Sequence, residues 1–140
     1  MAPWGISRKK KQKTEEKTVQ KTLLEELCGG NDELYQALSR TILLNPQLTA
    51  KEGIDSHIEK AQEYKKTGDK VRARISYQTA GEISLYEGKL AQAQEYFKKA
   101  ADVDPKFENK KIFEYFSKKE NAEKALAVTQ EFYAKTGKLK

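Results

Sequence analysis

The chain has 140 residues and a mass of 16.0 kDa, a size typical of one domain that buries about two-thirds of its unfolded surface. It carries 27 lysines and arginines against 21 acidic residues, which gives a formal net charge of +6. The mean hydropathy is -0.87, and no apolar run approaches the roughly 20 residues of a membrane span. We therefore expect no membrane insertion, and no apolar segment follows the basic start as a secretory signal requires.

The N-terminal segment, residues 1–13, is basic and contains no acidic residue. Its cationic residues are Arg8, Lys9, Lys10, Lys11 and Lys13. Because the basic run has no apolar side chain to bury, we expect a disordered tail that contacts an anionic partner. Phosphate backbones attract such tails through counterion release. The alternatives are therefore nucleic acid or a ribonucleoprotein such as the ribosome, a nuclear-import signal, or a tail that only improves solubility.

Residues 14–48 are predicted to form an N-terminal helical hairpin. One apolar stripe ends at Gly29-Gly30 and the next ends at Asn45-Pro46, both of which are helix-ending sequences. The stripes consist of Val19, Leu23, Leu24 and Leu27, then Leu34, Tyr35, Leu38 and Ile42. The single cysteine, Cys28, lies at the end of the first helix and has no basic partner that would activate it, so we interpret it as a buried apolar residue. Since one cysteine cannot form an internal disulfide, we expect a reducing, intracellular compartment.

Residues 49–107 are predicted to form a core of three antiparallel helices. The first helix is predicted to begin at Thr49, where the sequence has the form of a capping box, and to end at Gly68-Asp69. The second runs from about Lys70 to Glu87, and a turn at Gly88 leads into a third that ends at Asp104-Pro105. Since the second helix is apolar on more than one face, we expect it to lie between the other two.

Small and aromatic residues recur in residues 74–107 at the spacings of two interlocked helices. This stretch resembles one tetratricopeptide repeat, a helix-turn-helix unit of about 34 residues. The matching residues are Tyr77, Gly81, Gly88, Ala93, Phe97, Ala100 and Pro105. Ala80 and Ser84 depart from the leucine and tyrosine that the family prefers. The resemblance implies an all-α protein whose antiparallel helical hairpins pack as a compact bundle or a short solenoid.

Residues 108–140 are predicted to form a C-terminal helical hairpin or cap. Ile112, Phe113 and Phe116 mark a short helix. The apolar residues of a longer helix, which ends near Gly137, are Ala122, Ala125, Leu126, Thr129 and Phe132. Glu120 stands where a repeat would place its turn glycine, so this unit is a degenerate repeat at most, as terminal repeats often are.

The sequence contains no recognisable catalytic or metal-binding constellation. His57 is the single histidine, and it has no cysteine or histidine at ligand spacing. Phosphate-cradling, nucleophile-elbow and zinc-protease motifs are also missing. We therefore expect a non-enzymatic protein without cofactor, metal or small-molecule substrate.

In tetratricopeptide proteins the first helix of each repeat lines a groove for a protein partner. The resemblance assigns that place to Gln78, Glu82, Leu85 and Tyr86. A clamp for a terminal carboxylate is disfavoured because these positions carry no cation. Leu85 and Tyr86 would suit an apolar or helical peptide, or else a contact with the neighbouring helix.

Two functions follow from the sequence. The first is a cytoplasmic, or in a eukaryote nuclear, adaptor whose helical body binds a protein partner. The alternative is a nucleic-acid or ribonucleoprotein-binding factor. Its support is the basic tail, the lysine-rich C-terminal third and the aromatic pairs Tyr96-Phe97 and Phe132-Tyr133.

Overall fold

The computed structural model describes residues 21–139, and within that range every regular element is a helix. The helices are α1 (21–28), α2 (Asp32–Thr41), α3 (Pro46–Thr49), α4 (Ile54–Lys66), α5 (Lys70–Tyr86), α6 (Leu90–Val103), α7 (Lys110–Tyr115) and α8 (Lys119–Lys135), with a 3-10 turn at Ala50–Glu52. The predicted all-α class is confirmed. None of the helices in this range is long and apolar enough to cross a membrane.

The ends of α4, α5 and α8 share one glycine-based capping geometry. Gly68, Gly88 and Gly137 adopt φ values of +81°, +76° and +71°, a conformation that costs glycine little. After α5, the N–H of Lys89 donates to Ser84 O at 2.8 Å, which satisfies a carbonyl at the helix end. The turns predicted at Gly68 and Gly88 are therefore confirmed.

The start predicted for the first core helix is wrong. Thr49 is the last residue of α3 and makes no capping hydrogen bond through its side chain. Gly53, with φ +82° and ψ 158°, adopts a conformation largely restricted to glycine and separates the 3-10 turn from α4. Helix α2 ends at Thr41, before the Asn45-Pro46 pair that was predicted to end it. Pro46 also begins α3, because proline is favoured at the first helical position.

Helix α5 packs between α4 and α6, as predicted for the central helix of the core. Two contacts fix the antiparallel pairing of α5 with α6. Near one end of the pair, Arg74 Nε donates to Asp104 Oδ2 at 3.1 Å. Further along, the backbone of Gly81 faces the ring of Phe97, so closely that a Cβ on Gly81 would lie 2.9 Å from Phe97 Cε2. Small residues let the helix backbones approach, and those fully enclosed are Ala73, Ala80, Ala93 and Ala100.

The remaining helices cover this three-helix unit. Helix α8 packs on α5 and α6, while α2 packs on α7 and α8. The ring of Phe97 stacks on Phe116 with centroids 4.2 Å apart, and Phe107 stacks on Phe113 at 5.7 Å. Cys28 is buried in the same core, where desolvation raises the pKa of its thiol. Its interpretation as a buried apolar residue is confirmed.

Candidate interaction surface

The residues assigned to a peptide groove lie mostly inside the fold. Leu85 is 1% exposed, Tyr86 4% and Glu82 9%, whereas Gln78 is half-buried. The cause is α8, which crosses the C-terminal half of α5. The side-chain amide of Gln130 donates to the carbonyls of Leu85 and Tyr86, each at 2.7 Å. The exposure that the peptide-groove interpretation requires of Leu85 and Glu82 is thus contradicted.

The same four residues also fail to share one depression. Gln78 borders a hollow of about 230 Å³ beside Arg40 and Phe107, whereas Tyr86 borders a larger cleft that shares no lining residue with this hollow. The part of α5 that stays open is its N-terminal half, where Val71 is 52% exposed and Ile75 48% exposed.

A polar cluster is enclosed between α5 and α8. The hydroxyl of Tyr133 accepts a hydrogen bond from the N–H of Leu43 at 2.9 Å, and its ring meets the ring of Tyr86 edge-on at 5.3 Å. Within residues 21–139, Tyr86 Oη and Thr129 Oγ1 have no hydrogen-bond partner. Burial raises the pKa of Glu82 from 4.5 to about 8, so this carboxyl is largely protonated at neutral pH.

A cleft lies where the chain segment after α2, the end of α5 and the residues after α8 meet. We call it the C-terminal cleft; it encloses about 720 Å³, and its lining residues include Gln47, Lys51, Tyr86, Glu87, Gln130 and Leu139. Lys138, next to Leu139 in the chain, links the segment after α8 to the segment after α2. Its Nζ donates to Leu44 O at 2.7 Å, and its N–H donates to Tyr133 O at 2.8 Å.

One exposed leucine lines this cleft, and two more lie at or beside the short helix α3. Within the described range, Leu139 lines the cleft and is 37% exposed, whereas Leu44 and Leu48 lie on either side of Pro46 with exposures of 69% and 66%. Sequence reasoning missed them because Asn45-Pro46 was interpreted as the end of a hairpin. The available signal was Leu44 and Leu48 four residues apart around a proline that can begin a helix.

The carboxylates at and near the cleft form ion pairs with lysines of this chain, whereas Lys51 and Lys138 do not form ion pairs with described residues. Glu87 pairs with Lys89 at 3.4 Å and Glu52 pairs with Lys60 at 2.9 Å. Lys51 is exposed, and Lys138 binds only a carbonyl; neither has a carboxylate partner among residues 21–139. The charged residues that line the cleft are thus one lysine, Lys51, and one glutamate, Glu87.

The single histidine, His57, does not belong to a metal-binding group in the described helices. His57 Nε2 lies 3.8 Å from Glu52 Oε2 and makes no hydrogen bond, and burial lowers the pKa of the imidazole. Between residues 21 and 139, no group of three or more histidine, cysteine or acidic side chains could hold a metal ion. The tail residues Arg8, Lys9, Lys10, Lys11 and Lys13 lie outside the described residues.

The aromatic pairs named in support of nucleic-acid binding are mostly unavailable for base stacking. Phe97, Phe132 and Tyr133 are buried, and only Tyr96 is half-exposed. Four lysines of the C-terminal third form exposed ion pairs with glutamates one turn away: Lys110, Lys119, Lys124 and Lys135. Three of the four aromatic side chains are thus too buried to stack on bases, and the contribution of the tail stays a prediction.

No protein-family model matches the chain, and comparisons with curated proteins and with solved structures find no similar protein. The resemblance of residues 74–107 to a tetratricopeptide repeat therefore stays a prediction that rests on the residues themselves.

Proposed function

We propose that the chain is a non-catalytic adaptor whose tetratricopeptide-like helical body binds a protein partner. Its basic N-terminal arm, residues 1–13, would contact an anionic partner. The observation that carries this proposal is the packing of α5 between α4 and α6 through small residues at the repeat positions. The contact between Gly81 and the ring of Phe97 supports this proposal most directly, because a tetratricopeptide repeat requires its two helices to approach closely at the position of this glycine.

The covering helices support a compact form of this body. Because α8 lies over the C-terminal half of α5, a following repeat could not stack on that face without displacing it. We therefore propose a three-helix core, residues 49–107, that contains one repeat at 74–107 and lies between an N-terminal hairpin at 14–48 and a C-terminal hairpin or cap at 108–140.

A binding role also fits the surface chemistry of the described residues. The buried titratable groups Glu82 and Cys28 are enclosed by packed side chains. The C-terminal cleft instead presents a leucine, two glutamine amides, a lysine and a glutamate, which are groups that pack and form hydrogen bonds.

The proposal is tested by affinity purification of the full chain and of a variant that lacks residues 1–13, followed by identification of the bound proteins. A common partner that survives removal of the arm would support recognition by the body. Loss of every partner on removal would overturn it.

Binding to nucleic acid or a ribonucleoprotein remains the alternative, supported by the cation-rich arm. Electrophoretic mobility shifts with RNA and DNA across a salt series distinguish the two functions. A salt-dependent complex that disappears without the arm would favour the alternative. Absence of a complex even at low salt would exclude it.

A further inference from the structure

The contact between α5 and α8 contains several buried polar groups. Glu82 and Tyr86 lie four residues apart on the same face of α5, and the ring of Tyr86 meets the ring of Tyr133 on α8 at 5.3 Å. Burial raises the pKa of the Tyr133 phenol, and the nearby carboxyl of Glu82 raises it further. The side-chain amide of Gln130 donates to the carbonyls of Leu85 and Tyr86. Helix α8 therefore covers the face of α5 that carries the Glu82 carboxyl.

Three polar groups at this contact lack the partners that burial requires. Glu82 is 9% exposed, and no cation or hydrogen-bond donor among residues 21–139 offsets the desolvation of its carboxyl. The hydroxyls of Tyr86 and Thr129 have no hydrogen-bond partner in the same range. A buried polar group without a partner costs free energy. The position of α8 on α5 is therefore less favourable than an apolar contact of the same area would be.

Glu82 is the group of this contact that ionises near neutral pH. The other ionisable groups beside it are two phenols, Tyr86 on α5 and Tyr133 on α8, and phenols ordinarily titrate near pH 10. Helices α3, α4 and α6 also pack on α5, but no charged group of theirs in the described range contributes to the pKa of Glu82, which burial raises to about 8. Covered by α8, the carboxyl keeps its proton at neutral pH, and it releases this proton when it meets water.

The chain allows α8 to leave α5 without disturbing the three-helix core, residues 49–107. A short connection, residues 116–118, joins α8 to the preceding helix. The contacts described above between α5 and α6, Arg74 with Asp104 and Gly81 with Phe97, involve no residue of α8. The pairing of α5 with α6 can therefore persist when α8 moves away.

We propose that α8 opens from α5 as a unit separate from the three-helix core, and that loss of the Glu82 proton favours the open position. Opening breaks the hydrogen bonds that Gln130 and Tyr133 make with the rest of the chain. It uncovers Leu85 and Tyr86, which are 1% and 4% exposed in the closed position. This conformational change goes beyond the adaptor function and does not depend on it.

Hydrogen–deuterium exchange of the full chain, resolved by peptide mass spectrometry, tests the proposal. Protection between about pH 5 and pH 8, corrected for the intrinsic exchange rate at each pH, gives an opening equilibrium for each helix. Amides of α8 should open about tenfold or more above those of α5 and α6 throughout this range. Opening of α8 should also rise by up to about tenfold per pH unit, because each opening releases one proton. Opening of the core should rise in parallel, since complete unfolding exposes Glu82 as well.

Glu82→Gln should abolish the pH dependence of α8 opening, because an amide does not ionise. Glu123→Gln is the matched control on α8, where the carboxylate is exposed and pairs with Lys119 at 4.0 Å. It should change α8 opening by less than about threefold and leave the pH dependence as it is. Gln130→Ala should raise α8 opening by at least about fivefold at every pH and keep the pH dependence, since α5 loses the donor to two of its carbonyls.

Two results would overturn the proposal. If amides of α8 and of the three-helix core open with the same equilibrium constant at every pH, α8 does not open as a separate unit. If α8 opening in Glu82→Gln keeps the pH dependence of the wild type, the Glu82 carboxyl does not control it.

Discussion

The hydroxyl of Tyr133 accepts a hydrogen bond from the backbone N–H of Leu43 at 2.9 Å, and this contact ties α8 to the segment that follows α2. Tyr133 is fully buried. The ring of Tyr86 lies beside the ring of Tyr133, with the two ring centroids 5.3 Å apart. The hydroxyl of Tyr86 has no hydrogen-bond partner in the described structure. Replacing each tyrosine with phenylalanine therefore removes a buried hydroxyl in both cases, but only at Tyr133 does it also remove a hydrogen bond.

Tyr133→Phe should lower the free energy of unfolding by about 1–3 kcal/mol, because the partly buried N–H of Leu43 loses its acceptor. Tyr86→Phe should leave stability unchanged or raise it slightly, since it removes a buried hydroxyl without a partner. Urea unfolding followed by circular dichroism measures both. Equal effects of the two substitutions would contradict the hydrogen-bond assignment.

Glu82 should make the stability of the protein depend on pH in an unusual direction. Burial raises its pKa from 4.5 to about 8 in the folded state. Between these values the folded chain keeps a proton that the unfolded chain releases. The free energy of unfolding therefore falls as pH rises from about 5 towards 8, by up to about 1.4 kcal/mol per pH unit from this group.

Glu82→Gln should remove this dependence, because the amide keeps the shape of the protonated carboxyl and does not ionise. The two proteins should have similar stability near pH 5, and the variant should be increasingly more stable towards pH 8. Glu59→Gln, at an exposed position of α4, is the control and should leave the pH profile unchanged. Parallel profiles for wild type and Glu82→Gln would show that the carboxyl is already ionised in the fold.

The close approach of α5 and α6 predicts that Gly81→Ala is destabilising, although alanine is the better helix former. Its Cβ would lie 2.9 Å from the ring of Phe97, and that ring is held by stacking on Phe116. Overpacking costs about 1–3 kcal/mol, which exceeds the gain of about 0.5–1 kcal/mol from helix propensity. We expect a net loss of about 1 kcal/mol in urea unfolding.

A double-mutant cycle with Phe97→Leu shows whether the ring causes this loss. With the smaller side chain at position 97, Gly81→Ala should cost less, and the coupling should be at least about 0.5 kcal/mol. Additive losses, or a stabilising effect of Gly81→Ala alone, would contradict the steric explanation.

The features predictable from sequence were those with local causes. The turns at Gly68 and Gly88 follow from the backbone freedom of glycine, and the central position of α5 follows from its several apolar faces. The position of α8 across α5 was not predictable, because it depends on polar contacts between distant residues, such as Gln130 with Leu85 O. Consequently Leu85 was assigned to an open groove, and the exposed leucines around α3 were missed.

Helix α5 contains two arginines whose ion pairs should contribute differently to stability, because the pair of Arg74 is largely buried and the pair of Arg72 is exposed. Its Nε donates to Asp104 at 3.1 Å, and its guanidinium carbon lies 3.6 Å from the ring centroid of Phe107. Both charged side chains are at most 15% exposed. Arg74→Ala should therefore cost about 2 kcal/mol, since a charged hydrogen bond and a cation–π contact are lost together.

Arg74→Lys should cost an intermediate amount, because lysine keeps the charge but cannot stack as a plane on the ring of Phe107. Arg72→Ala is the matched control. Arg72 is 68% exposed and pairs with Asp69 at 3.5 Å, so its loss should change stability by less than about 0.5 kcal/mol. Chemical unfolding at low and high salt measures all three. If the Arg74→Ala loss disappeared at high salt, the pair would behave as a screened surface contact, and α5 and α6 would be held together by packing alone.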